Sequence, residues 1–234
     1  MLFERGHNVL VPCLPRHGKR DRMTADLAQL TADELKACAL EALRSARALG
    51  DEICVLGFST GGTLALWLAQ TQPLPHVVAV APFLGSKWIP RRFAGLALHA
   101  VMRLPNVFLW WDPRKREGLL PEHGYPRYPT HGAAQAFALG REILHGAAAP
   151  AASRVTLVIN ASEHTVNNAA IDELYRTWRR NGGERVALSV LTGLPPSHDI
   201  IEPLRRDAPV DLVYPRLLAL LCGPQGGAEP AKNE

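Results

Sequence analysis

The sequence predicts an α/β protein, a mostly parallel sheet flanked by helices, with a helical segment inserted in its middle third. Two observations carry that expectation. Short β-branched apolar runs alternate with stretches of helical period up to residue 84 and again from 154 to 221. Strands joined through helices pair in parallel and are covered on both faces. Between these stretches the alternation stops, and two helical patterns flank a run rich in proline and aromatic residues.

Taken in order, "HNVLVPCL" (7–14) reads as a first strand and "MTADLAQLTADELKACALEALRSARALG" (23–50) as a helix. Its longer part begins at Thr31, with Glu34 three residues on completing a capping-box pattern. "EICVLGF" (52–58) is a second strand, "TLALWLAQTQ" (63–72) a helix stopped by Pro73, and "HVVAVAPFL" (76–84) a third strand. In the middle third, "RRFAGLALHAVMRL" and "HGAAQAFALGREILHG" are helical in spacing, around "PNVFLWWDPRKREGLLPEHGYPRYP". Core order then resumes with a strand in "RVTLVINASEH", the helix "NNAAIDELYRTWRRNG", the strand "RVALSVLTG" and a last helix, "VDLVYPRLLALL". This reading gives a core of residues 1–83 and 150–222, a cap-like insertion over 84–149, and a tail, 223–234, with too little apolar surface to order itself.

Composition narrows the function. With 234 residues, 47% hydrophobic and 21% charged, the chain is an ordinary globular one able to bury a large core. The net charge is +4, but the longest basic cluster, Arg114–Arg116, has no aromatic interleaving, so no nucleic-acid partner is expected. Cys13, Cys38, Cys54 and Cys222 form no CxxC pair, and read as free thiols filling the core. No His/Cys/Asp cluster has metal-ligand spacing, so no metal is expected. No apolar run reaches bilayer length and no basic-then-apolar leader opens the chain. Stable membrane insertion is therefore not expected, and a cytoplasmic protein is.

The chemistry is in "VLGFSTGG" (55–62), one serine among glycines directly after an apolar run. A serine that ends a strand and starts a helix must turn the chain sharply, which holds its backbone under strain and projects its side chain outward. Gly57 and Gly61 are expected to make room for that turn, and the following helix aims its positive end at charge developing beside Ser59. The competing reading is Ser59 as a plain helix N-cap.

A serine hydroxyl needs a base to remove its proton, and the base needs an acid to orient it. Behind an elbow of this kind the chain order is Ser, acid, His. His198, in "GLPPSHDII" just after the final strand, is the candidate base; His7, His17, His76, His99, His123, His131 and His145 all come before the acid-bearing strand. Glu163, in "VINASEHTVNN" where that strand gives out, is the candidate acid, with Asp199 as the alternative. Asp172 lies too deep in the next helix, and His164 carries no negative charge.

"LGFSTGG", "NASEHTV" and "PPSHD" in this order and spacing resemble the α/β-hydrolase superfamily across nearly the whole chain, and "LPRHG" (14–18) resembles the loop motif of its serine esterases and monoacylglycerol-lipase-like members. The resemblance implies an α/β-hydrolase fold with a cap and cofactor-free hydrolysis of small-molecule carboxylic esters of small, medium or lipid-like acyl chain. Ser59 would attack the acyl carbon, His198 would shuttle the proton and Glu163 would hold the imidazole. The Thr60 N–H would be one oxyanion donor.

The resemblance also marks departures. The family acid is more often aspartate, and Arg16 replaces a small residue, adding charge near the site or facing solvent. The family's preceding strand and HG loop, source of the second oxyanion donor, have no counterpart here, which leaves a gap in the ladder and implies that Met1 is internal to a longer reading frame. Phe108, Trp110 and Trp111 could line an acyl pocket, fasten the cap to the core, or offer an apolar face to a membrane surface. A catalytically impaired protein that binds a ligand or partner through the cap is the alternative to an enzyme.

Overall fold

Four short β-branched runs find parallel partners, and the helices between them cover both faces of the resulting sheet. The computed structural model describes residues 1–111, 113, 124–146, 148–205 and 208–222. Helix α1 (Ala32–Arg47) leads into β1 (Cys54–Phe58), α2 (Thr60–Thr71) and β2 (His76–Val80). After these come α3 (Ala94–Arg103), the short strands β3 (Phe108–Trp110) and β4 (Arg127–Pro129), and α4 (Thr130–His145). The chain closes with β5 (Val155–Asn160), α5 (Asn168–Gly182), β6 (Val186–Leu191) and α6 (Val210–Cys222). The main sheet runs β1-β2-β5-β6, all parallel, while β3 and β4 form a separate antiparallel pair.

Alternation along the strands sorts the core into two layers. Val77, Ala79, Val155 and Leu157 face one side, where they meet Leu35 and Leu43 of α1, Leu66 of α2, Leu139 and Ile143 of α4 and Trp178 of α5. Val78, Val80 and Val158 face the other, against Val213 and Leu217 of α6. Each such side chain taken out of water contributes about 1.5–3 kcal/mol. The register of the β1–β2 pair sets Phe58 beside Val80, so both strands end at the edge where the site is built.

Three expectations are corrected, and one strand pair is found that none foresaw. Residues 7–14 form no strand, and nearly all are exposed. A strand exists only as part of a ladder, and here β1 is the sheet edge with Leu56 40% exposed. The helix read over 23–50 is broken into a 3₁₀ turn at Asp26–Gln29 and α1, because Leu30 is extended and Thr31 starts a fresh helix through its reciprocal bonds with Glu34. The β3–β4 pair was not legible, since three-residue strands joined across a long gap carry no local pattern. Cys13, Cys54 and Cys222 are exposed and Cys38 half-buried, all free, so the cysteines do not fill the core; Cys54 is exposed because its strand is the edge.

Within the 84–149 stretch, α4 sends Leu139 and Ile143 into the main cluster and is packed as part of the core layer. The expected tail, 223–234, and the cluster Arg114–Arg116 lie outside the described residues. Among the described residues, no helix is long and apolar enough to cross a membrane.

Candidate active site

Strand β1 ends at Phe58 and α2 begins at Thr60, so a single residue turns the chain. Ser59 does so at φ 53°, a region that L-residues with side chains rarely occupy and that costs about 1–3 kcal/mol. Its surroundings hold it there. The Ser59 N–H donates to Val80 O at 3.0 Å, and the Ser59 carbonyl accepts from Thr63 N–H at 2.9 Å, the Thr63 hydroxyl at 3.2 Å and Phe83 N–H at 3.3 Å. The hydroxyl makes no cap bond to α2, which removes the N-cap reading and leaves it available to a base.

The glycines divide the work differently from expectation. A Cβ at Gly57 would meet the Gly61 carbonyl, and one at Gly62 would come within 2.9 Å of Val80 O. A Cβ at Gly61 would have nothing within 4 Å. Gly57 and Gly62 are therefore the positions that close approach demands, whereas Gly61 faces open space.

The loop after β5 carries Glu163 and the loop after β6 carries His198. His198 Nε2 lies 2.8 Å from Ser59 Oγ, and His198 Nδ1 lies 2.8 Å from Glu163 Oε2. With the carboxylate accepting from Nδ1–H, Nε2 is left to accept the serine proton. The Glu163 side chain is fully buried while that of His198 is 19% exposed, so the carboxylate is shielded from solvent and the imidazole is not. Burial pushes the Glu163 carboxyl up, but hydrogen bonds from His198 and from the Thr165 and Val166 amides outweigh it and hold the group below the ordinary carboxylate range. The Phe58 ring, centred 5.0 Å from the imidazole, walls the other side of His198.

Asp199, the alternative acid, faces Arg205 at 3.7 Å instead, and burial raises its carboxyl above the ordinary range. His164 is exposed, and Asp172 pairs with Arg176 on α5.

Sequence reasoning missed Asn160. It ends a strand whose other residues are apolar except Thr156, is 1% exposed, and donates through Nδ2 to Pro195 O at 2.8 Å and Ser197 O at 3.4 Å. Its Oδ1 accepts from Ser162 N–H at 3.0 Å. One buried amide thus ties the loop of Glu163 to the loop of His198; the signal was an asparagine closing a mostly apolar run. Among the described residues the Thr60 N–H, in the first turn of α2, has no protein acceptor.

The family model described as "Alpha/beta hydrolase family" matches residues 1–219. The chain belongs to the alpha/beta-hydrolase family. Among solved structures, this hydrolase-family chain is similar to one from the metagenome-derived lipolytic enzymes LipS and LipT, at 19% identity and TM-score 0.61, covering 86% of this chain and 77% of that one. It is also similar to the monoacylglycerol lipase of Paleococcus ferrophilus, at 18% identity and TM-score 0.60, covering 82% and 75%. A soluble variant of monoglyceride lipase from Saccharomyces cerevisiae, in complex with a substrate analog, follows at 14% identity and TM-score 0.58, covering 81% and 67%. At these identities the likeness carries the fold. No curated protein matches the sequence.

In the alpha/beta-hydrolase chain, Arg16 of the "LPRHG" loop stays partly exposed to solvent. Its guanidinium is held by Glu34 at 2.7 Å and Gln29 at 2.9 Å, so its charge is paired. Phe108 and Trp110 are half-buried on β3, and Trp111 is 57% exposed just beyond it. Arg127 sits 4.2 Å over the Phe108 ring, and Trp111 is 4.2 Å from the Tyr128 ring. Among the described residues no group of three His, Cys, Asp or Glu side chains could hold a metal ion.

Proposed function

We propose that the chain hydrolyses carboxylic esters through Ser59, His198 and Glu163. The observation that carries this reading is the unbroken hydrogen-bonded chain from Ser59 Oγ through His198 to buried Glu163, set on a strained elbow. Ser59 Oγ attacks the acyl carbon as its proton passes to His198 Nε2, and the imidazolium so formed is stabilised by the Glu163 carboxylate. The carbonyl oxygen, now negative, faces the unengaged Thr60 N–H and the positive end of α2. His198 then gives its proton to the departing alcohol, leaving an acyl group on Ser59. Water enters, loses its proton to His198, attacks the acyl carbon and releases the acid with Ser59 regenerated.

A lipid-like acyl chain is supported by the names of the similar lipases, and by the exposed apolar side chains Trp88, Leu96, Leu104 and Trp111 on the segment between β2 and β4. The contacts of Phe108 with Arg127 and of Trp111 with Tyr128 support a packing role for those rings over an acyl-pocket wall. The test is labelling by a fluorophosphonate together with turnover of p-nitrophenyl esters of increasing chain length. Both are expected in the wild-type protein and neither in Ser59→Ala. Folded wild-type protein that takes no label and turns over no ester would overturn the reading in favour of a ligand-binding protein on a hydrolase scaffold.

A further inference from the structure

A cavity of about 240 Å³ opens between the start of α3, one face of α4 and the N-terminal end of α5, and none of Ser59, His198 and Glu163 lines it. Its wall carries three guanidinium groups, Arg91, Arg92 and Arg141, and the imidazole of His145. Arginine stays protonated throughout the physiological range. Arg91 is engaged by the Glu173 carboxylate. The nearby Glu142 carboxylate is held by Lys36 at 2.6 Å. Arg92 lies over its neighbour Phe93 at 4.8 Å, and the Arg141 guanidinium rests against the bare backbone of Gly95, where a Cβ would stand 3.3 Å from Nη2. Among the described residues neither Arg92 nor Arg141 has a hydrogen bond or ion pair.

Two cations without an anionic partner thus line one concave wall, where like charges repel, and Arg141 is half-buried. The positive end of α5 adds a field of the same sign, while its cap amides are already taken by the Asn167 side chain. The wall also carries the polar residues Ser86 and Asn167, and the apolar side chains Phe137 and Ile89 face the same space. A carboxylate has two oxygens and is satisfied by one guanidinium fork, as Glu173 is by Arg91. A phosphate presents three terminal oxygens and can accept from two forks in different planes.

We propose that this cavity binds a small organic phosphate, its head held by Arg92 and Arg141 and its apolar body against Phe137 and Ile89. The site shares no residue with the ester-hydrolysing one and stands whether or not that reading holds.

The experiment is calorimetric titration of the full chain with phenyl phosphate at low salt, with inorganic phosphate and benzoate as parallel arms. Saturable binding at one site is expected, weakening as salt is raised, with inorganic phosphate and benzoate each at least tenfold weaker. Arg141→Gln is expected to lose at least tenfold in affinity and the surface variant Arg92→Gln several-fold, with Ser59→Ala unchanged. Should Arg141→Gln fail to fold, Arg92→Gln decides. Absence of saturation, benzoate binding as tight as phenyl phosphate, unchanged affinity in the arginine variants, or loss of binding in Ser59→Ala would each overturn the proposal.

Discussion

The missing side chain of Gly57 is the space through which the peptide of Gly61 passes: a Cβ at 57 would stand 2.1 Å from the Gly61 carbonyl oxygen. The obstacle is backbone, which cannot swing aside as a side-chain tip can, so the strand and the helix of the elbow could not both keep their places. Gly57→Ala is therefore expected to cost about 3 kcal/mol and to lower ester turnover more than a hundredfold. Gly61→Ala meets nothing and is expected to stay within about 1 kcal/mol of wild type. Urea midpoints and ester turnover of the two variants check the contrast, and equal damage in both would refute it.

Glu163→Gln keeps the size of the acid but not its charge. Turnover is expected to fall by about three to four orders of magnitude, with KM little changed, because the imidazolium loses its partner. Stability carries a separate sign. Folded Glu163 holds its proton less readily than unfolded Glu163, so its contribution is complete above about pH 4.3 and is lost as pH falls through the lower folded value. Unfolding midpoints measured from pH 2 to 6 should show a shallower acid limb in the variant.

Asn160 is expected to act by positioning the loop of His198, to which its amide is bonded. Removing its amide in Asn160→Ala frees the loop of His198 and leaves the Pro195 and Ser197 carbonyls without a donor. A loss of about 1–3 kcal/mol is expected, with kcat reduced about 10–100-fold and KM much less affected. A purely structural role would lower the unfolding midpoint with kcat intact in the folded fraction.

His76 starts β2 with Arg154 Nη2 donating to its Nδ1 at 2.8 Å. Burial, and then the Arg154 charge, push the imidazole down to about 4, so it is folded in its neutral form. The unfolded chain takes up this proton near pH 6.5, and the folded chain only near 4. Its contribution is complete above about pH 6.5 and declines toward pH 4, a loss on the order of 3 kcal/mol. His76→Gln should flatten this interval, which lies above the one governed by Glu163, and titration of unfolding midpoints across pH 4–7 separates the two.

Ser59, Glu163 and His198 were legible because each stands at a break between a periodic run and a loop, and their order along the chain is a one-dimensional property. Asn160 was not, because an asparagine closing a strand looks like any turn residue until the loop it binds is folded over it. Arg16 was ambiguous for the same reason, its partner Glu34 lying on another element.

Residue types and their spacing by themselves determined the α/β alternation, the capping box at Thr31 and the strained corner at Ser59, since propensity, period and steric need are written in neighbouring residues. Which strand lies at the edge, which glycine is crowded, where the arginines of the cavity converge and how three loops meet at 2.8 Å were decided only in three dimensions. Those are contacts between groups far apart in the chain, whose geometry exists only after the sheet has set the distance between the loops it carries.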